Sequence, residues 1–191
     1  MHEHGGANLR ADPKLANELS WAGFDMLSLA NNHSGDYGPV GMQLTKEHVE
    51  NTGLIASGVG SSLREARKPA FYETPKGRVA LISAASTFSS HSRAGNTRGY
   101  IPAHPGLNPL RHNKIFVVDE REFVVLKQMA NNMHPLDYLK AEMLGLDDFS
   151  KSFENDVWFL GNRFVKGKQF AVKTDPYEVD MQEISDVVCG K

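Results

Sequence analysis

Cys189 is the only cysteine in the 191 residues. One thiol excludes an intramolecular disulfide and a cysteine-based zinc site, so it reads as a small apolar residue. No run approaches the roughly 20 apolar residues that cross a bilayer. The opening "MHEHGGANLR" lacks the apolar h-region of a signal peptide. Basic excess is missing too: 21 Lys and Arg stand against 23 Asp and Glu, a net charge of −2 with His neutral. Nothing therefore points to nucleic acid or to a broad anionic membrane surface as partner, and the chain reads as soluble as written. Internal repeats and low-complexity tracts are also absent.

What is present is ordinary for a globular protein: 40% apolar and 23% charged residues. The length suits a single domain, residues 1–191, with a sizeable core. Both ends read as cut. The chain opens without a strand. It closes on "DPYEVDMQEISDVVCGK", in which Asp175 is expected to N-cap a helix, with Pro176 at its first position and Glu178 three residues after the cap. Met181, Ile184 and Val188 then form an apolar stripe that needs a surface to cover. The expectation is an internal piece of a longer protein.

Pattern predicts a helix from Asp12-Pro13 to Trp21, stopped by Gly23, with Leu15 and Leu19 facing a core. "FDMLSLA" reads as a short buried strand and "PVGMQLTKEHVENTG" as a helix closed by Gly53. "LIASGVG" is the next strand, and Ser62 with Glu65 predicts a capping box on a short helix ended by Pro69. Pro75-Lys76-Gly77 between two apolar runs predicts a hairpin. Thr87 to Lys114 shows no period and reads as a long loop. Helices are expected near Glu120–Asn131 and Pro135–Leu144. A strand, a turn at Gly161-Asn162 and a hairpin at Gly167 should follow. Strands alternating with helices argue α/β, and the later hairpins argue mixed sheets.

"SLANNHSGDYG", Ser28 to Gly38, carries the chemistry. It lies at the carboxyl end of the first strand, where open α/β sheets hold their ligands. An Asn oxygen is a neutral ligand for a divalent metal. An imidazole can ligate or protonate a leaving oxygen. A nearby carboxylate can fix the imidazole tautomer. The alternative is a plain polar turn, with Asn31 or Asn32 bonding local backbone and Asp36 capping the next helix.

The stretch from Gly23 to Ser83 resembles the CapA-like bacterial capsule-synthesis proteins associated with poly-γ-glutamate. The matching residues are Gly23-Phe24-Asp25, Ala30 to His33, Asp36 to Gly38, Gly41, Thr45, Gly58 to Gly60, Glu65-Ala66 and Pro69. "PGLNPLRH", Pro105 to His112, is similar to a later family segment. The resemblance implies the calcineurin-like metallophosphoesterase fold, a four-layer α/β/β/α sandwich with mixed sheets and a two-metal site at strand ends. It implies Asn32 as a metal ligand and His33 as the acid at the leaving oxygen, with Asp36 orienting His33. The cofactors implied are divalent ions, manganese, zinc or iron. Asn31 stands where the wider superfamily has Gly, and Ser34 where an acidic residue is common. Upstream acidic and downstream paired-histidine motifs are missing from the chain. The metal site is therefore expected to be incomplete here.

Two further readings stay open. His91, Arg93, Arg98, His104, Arg111 and His112 punctuate the long loop. Arg98 and Arg111 are candidate contacts for an anionic substrate, either a phosphate ester or polyglutamate. The resemblance names a pathway and not a reaction. A phosphoesterase-like enzyme, a non-catalytic polymer-binding member of a capsule-synthesis complex and an inactive fragment all fit. Relatives are membrane-anchored and extracytoplasmic in many cases. "HEH" at His2–His4 reads as a solvated tail, and "GVGSS" as a strand-to-helix turn.

Overall fold

The computed structural model describes residues 8–132, 155–160 and 162–189. The expectations for His2–His4 and for a helix at 135–144 lie outside them. The chain is mixed α/β and divides into two compact units. The first runs to Arg111 and takes up the chain again from Glu178; the second is His112–Tyr177.

The first unit opens with α1 (Leu15–Trp21), β1 (Met26–Ser28), α2 (Gly38–Glu50) and β2 (Ile55–Ser57). β1 and β2 pair in parallel, Met26 opposite Ile55 and Ser28 opposite Ser57. This is a βαβ crossover, so loops leaving both strands emerge on one side. Gly23 and Gly53 take φ of +86° and +85° just past α1 and α2, the left-handed ending that Gly adopts without a Cβ penalty. The apolar pattern of α1 does not bury as expected. Leu15 is 51% exposed and Ala16 only 8%, because the small side chain lets α1 sit close over Val49 and Leu54.

β3 (Val59–Gly60), α3 (Leu63–Ala66), β4 (Ala70–Thr74) and β5 (Gly77–Leu81) follow. β4 and β5 form the expected hairpin, Thr74 opposite Gly77. The capping box on α3 is half made. The Ser62 side chain accepts from the Glu65 N–H at 3.2 Å, but Glu65 reaches back to the Ser61 N–H, 2.9 Å, and not to Ser62. These hydrogen bonds to Ser61, with Lys46 nearby, hold the Glu65 carboxyl below its ordinary range against the opposing cost of burial.

The long segment expected as an irregular loop is ordered by short pairings. β6 (Gly106–Leu107) pairs antiparallel with β3. Single bridges join Ala85 to Pro109, Arg93 to Leu107, Gly95 to His104 and Arg98 to Ile101. The core of this part is Ala30, Met42, Val59, Ala85 and Leu107. Gly58 sits over it with φ +100°, and a Cβ there would lie 2.8 Å from the Ala30 Cβ and 2.5 Å from the Ser83 Oγ. Gly58→Ala is therefore expected to cost about 2–3 kcal/mol, backbone strain and overpacking together. A denaturant midpoint unchanged from wild type would contradict this.

The second unit holds β7 (His112–Val118), α4 (Glu120–Asn131), β8 (Asp156–Phe159), β9 (Asn162–Lys166) and β10 (Ala171–Pro176). The sheet order is β10-β7-β9-β8, with β7 and β9 parallel and the outer pairs antiparallel. Gly167 is not a hairpin turn, because β7 lies between β9 and β10; its N–H donates to the Val118 carbonyl at 2.9 Å. A full capping box, Asp119 with Glu122, starts α4. Val118, Phe123, Ala130 and Val157 are buried where α4 covers the sheet. Phe116 stacks on Phe164 with ring centroids 5.2 Å apart.

The closing helix α5 (Glu178–Cys189) starts later than expected. Asp175 and Pro176 pair as strand residues with Asn113 and His112, so Asp175 does not cap it. Its stripe also differs: Met181 and Val188 are 45% and 68% exposed, and the buried residue is Asp180 at 1%. Among the described residues no helix is long and apolar enough to cross a membrane.

Candidate functional site

The chain leaves β1 at Ser28, and the Leu29 N–H donates to the Ser57 carbonyl at 2.9 Å, carrying the parallel ladder one step further. Ala30 then plugs into the core and anchors the turn. From Asn31 the backbone makes successive tight turns: Ser34 N–H to Asn31 O at 3.2 Å, Asp36 N–H to His33 O at 3.1 Å, Gly38 N–H to Gly35 O at 3.0 Å. Asn31 Oδ1 accepts from the His33 N–H at 2.8 Å, an Asx turn. The Ser34 hydroxyl accepts from the Asn31 N–H at 3.0 Å and donates to the Leu29 carbonyl. Ser34 thus clasps the base of the turn, a task that no sequence pattern announced.

His33 and Asp36 come together. His33 Nδ1 lies 2.9 Å from Asp36 Oδ2. An ionised carboxylate only accepts, so Nδ1 carries the proton and Nε2 is the nitrogen left for a ligand or substrate. Asp36 is 7% exposed, and its Oδ2 also accepts from the Leu9 N–H at 2.7 Å. It does not cap α2, whose first turn has no side-chain cap. Gly35 is needed for close approach: a Cβ there would fall 1.8 Å from the Ser92 Oγ, and Ser92 is 3% exposed. Asn32 sits at the exposed crest of the same turn.

As a metal centre this donor set is short. Among the described residues no group of three or more His, Cys, Asp or Glu side chains comes together. Asn32 and His33 offer one oxygen and one nitrogen, which does not fit a two-metal centre by itself.

The two candidate arginines lie apart in role. Arg98 is exposed on a tight turn whose backbone exchanges bonds with Ile101 at 3.0 and 2.9 Å. Arg111 is engaged by Asp180, with Nε to Oδ2 at 2.8 Å, a terminal nitrogen to Oδ1 at 2.6 Å and its backbone N–H to Oδ2 at 2.9 Å. Arg67 donates to the same carboxylate at 2.5 Å. Sequence reasoning missed Asp180, because one acid among several on an amphipathic helix carries no signal of its own. Burial raises its pKa, but the hydrogen bonds from Arg111 and the charges of both arginines outweigh that and leave the carboxyl below its ordinary range.

A parallel βαβ unit with an Asn, His and Asp turn at its strand end makes this a mixed α/β chain with polar side chains at the strand end where open α/β sheets commonly hold ligands. The chain belongs to the family described as bacterial capsule synthesis protein PGA_cap, which matches residues 2–141. It is 41% identical over 117 residues to two proteins of Sinorhizobium fredii, the uncharacterized proteins y4sH and y4uA, covering 61% of this chain and 25% of each. It is also 31% identical over 100 residues to the PGA biosynthesis protein CapA of Bacillus subtilis, covering 51% of this chain and 26% of that protein. The chain thus spans about a quarter of the length of the curated relatives it matches.

Proposed function

We propose that the chain carries one corner of a metal-dependent phosphoesterase-type site within a capsule-biosynthesis protein. The observation that carries this reading is the His33–Asp36 pair, 2.9 Å apart, on a turn clasped at the carboxyl end of a parallel strand. His33, when protonated on both ring nitrogens, would hand the Nε2 proton to the leaving oxygen, and Asp36, accepting from Nδ1–H, would hold the ring. Asn32 would give one oxygen to a divalent manganese, zinc or iron ion. The remaining ligands, and the other layers of a four-layer α/β/β/α sandwich, would come from the rest of the whole protein. Arg98 and Arg111 would face an anionic substrate, a phosphate ester or polyglutamate. Arg98 is the more available of the two, since Arg111 is paired with Asp180.

The test uses the whole protein. Hydrolysis of phosphomonoesters and phosphodiesters is assayed with added manganese, and bound metal is quantified on the same samples. Metal-dependent turnover is the expected result. No turnover together with no bound metal would retire the enzyme reading. A second reading, a non-catalytic component that guides an anionic polymer beside other capsule-synthesis subunits, would then lead. It draws support from a stretch without any Asp or Glu between Glu73 and Asp119.

A further inference from the structure

That acid-free stretch stands out in a chain with 23 acidic residues. Within it lies a depression of about 210 Å³ lined by Ser90, His91, Arg93, Ala94, Gly95 and His104. Its frame is built and not draped. Gly106 passes so close that a Cβ would sit 2.5 Å from both the Arg93 carbonyl carbon and the Ala94 nitrogen. The Ala94 N–H donates to the Leu107 carbonyl at 2.9 Å, and Gly95 and His104 exchange backbone bonds at 2.9 and 3.0 Å. His104 donates through Nδ1 to the Arg93 carbonyl at 3.2 Å, which fixes its ring. Arg93 is exposed and has no acidic partner among the described residues. A guanidinium with no carboxylate at hand presents its planar fork to an oxyanion. Next to His91, Ser92 packs against Gly35 of the His33 turn.

We propose that this depression is an oxyanion-binding subsite, taking a phosphate or carboxylate group of an extended anionic ligand on Arg93, with His91 and His104 beside it. The inference needs neither turnover nor metal, and so goes beyond the function proposed above.

The chain, labelled at histidine and arginine side chains, is titrated with inorganic phosphate and separately with glutarate at fixed ionic strength. Saturable shifts are expected at Arg93, His91 and His104. Arg93→Ala should weaken binding about tenfold or more, an ordinary magnitude for losing a charge-assisted fork. Arg78→Ala, which removes an equal charge from the exposed face of β5, should change it less than about twofold. Saturation by phosphate alone supports the subsite with a phosphate ester as source; saturation by glutarate alone supports it with a carboxylate polymer. Shifts that never saturate, equal weakening by Arg78→Ala, or an indifferent Arg93→Ala would each overturn the proposal.

Discussion

Asp180→Ala is expected to destabilise the first unit by about 3–5 kcal/mol, the range for removing one partner of a buried ion pair. The carboxylate is 1% exposed. It accepts three hydrogen bonds from Arg111 and one from Arg67. Taking it away leaves the Arg67 guanidinium, with its side chain only 11% exposed, without that carboxylate; its other partner, Glu183, is 54% exposed and shielded by solvent. Among the described residues, the apolar side chains of α5 bury little, with Val179, Met181 and Val188 at 62%, 45% and 68% exposure, so the carboxylate is expected to carry much of its attachment. Hydrogen exchange should show the loss first in α5. The pH dependence has a definite sign. The folded carboxyl titrates below its ordinary value of 3.8, so its contribution is complete above that value and is lost as pH falls below it through the folded value. Asp180→Asn keeps the shape and should abolish this acid-limb dependence. A loss under about 1 kcal/mol in Asp180→Ala, with α5 protection intact, would show that packing and not the carboxylate holds the helix.

The same residue marks where the sequence stopped being legible. Local signals sufficed for elements that local rules determine. Gly23 and Gly53 closed their helices, Pro75-Lys76-Gly77 made its hairpin, and the turn after "FDMLSL" lies at a strand end. Those features depend on neighbours a few residues away. Asp180 depends on Arg67 and Arg111, 113 and 69 positions distant, and no periodicity encodes such a meeting. Gly167 failed for a related reason: a glycine between two strands reads as a hairpin, yet β7 from far upstream occupies the slot between them. Asp175-Pro176 reads as a helix start, but strand pairing with β7 outweighs the cap. Within the candidate site, His33 and Asp36 were three residues apart and so could be paired on paper. Ser34 as a clasp, Leu9 on Asp36 and Ser92 against Gly35 could not, since each requires the turn's three-dimensional path. The long apolar-poor segment looked structureless because its order comes from one- and two-residue bridges, too short to leave a pattern.

His33→Ala in the whole protein is expected to lower phosphoester turnover by about 10²–10⁴-fold, the contribution of a positioned general acid. The fold should survive the change. The His33 backbone N–H keeps its bond to Asn31 Oδ1, the Ser34 clasp is untouched, and Asp36 keeps the Leu9 N–H. The imidazole itself is 35% exposed, so little packing is lost. Bound metal should stay close to wild type if His33 serves the leaving oxygen and Asn32 the ion. Leaving-group chemistry separates acid catalysis from mere crowding of the site. An alkyl phosphate needs its departing oxygen protonated, whereas the nitrophenolate of a nitrophenyl phosphate leaves as a stable anion, so the variant should lose far more rate on the alkyl substrate. Asp36→Asn should fall less steeply and shift the pH profile, because Asp36 acts through the ring it holds and not on the substrate. Equal loss on both substrates would place His33 in substrate positioning. Unchanged turnover on the alkyl phosphate would remove His33 from the chemistry and leave the turn as a binding element.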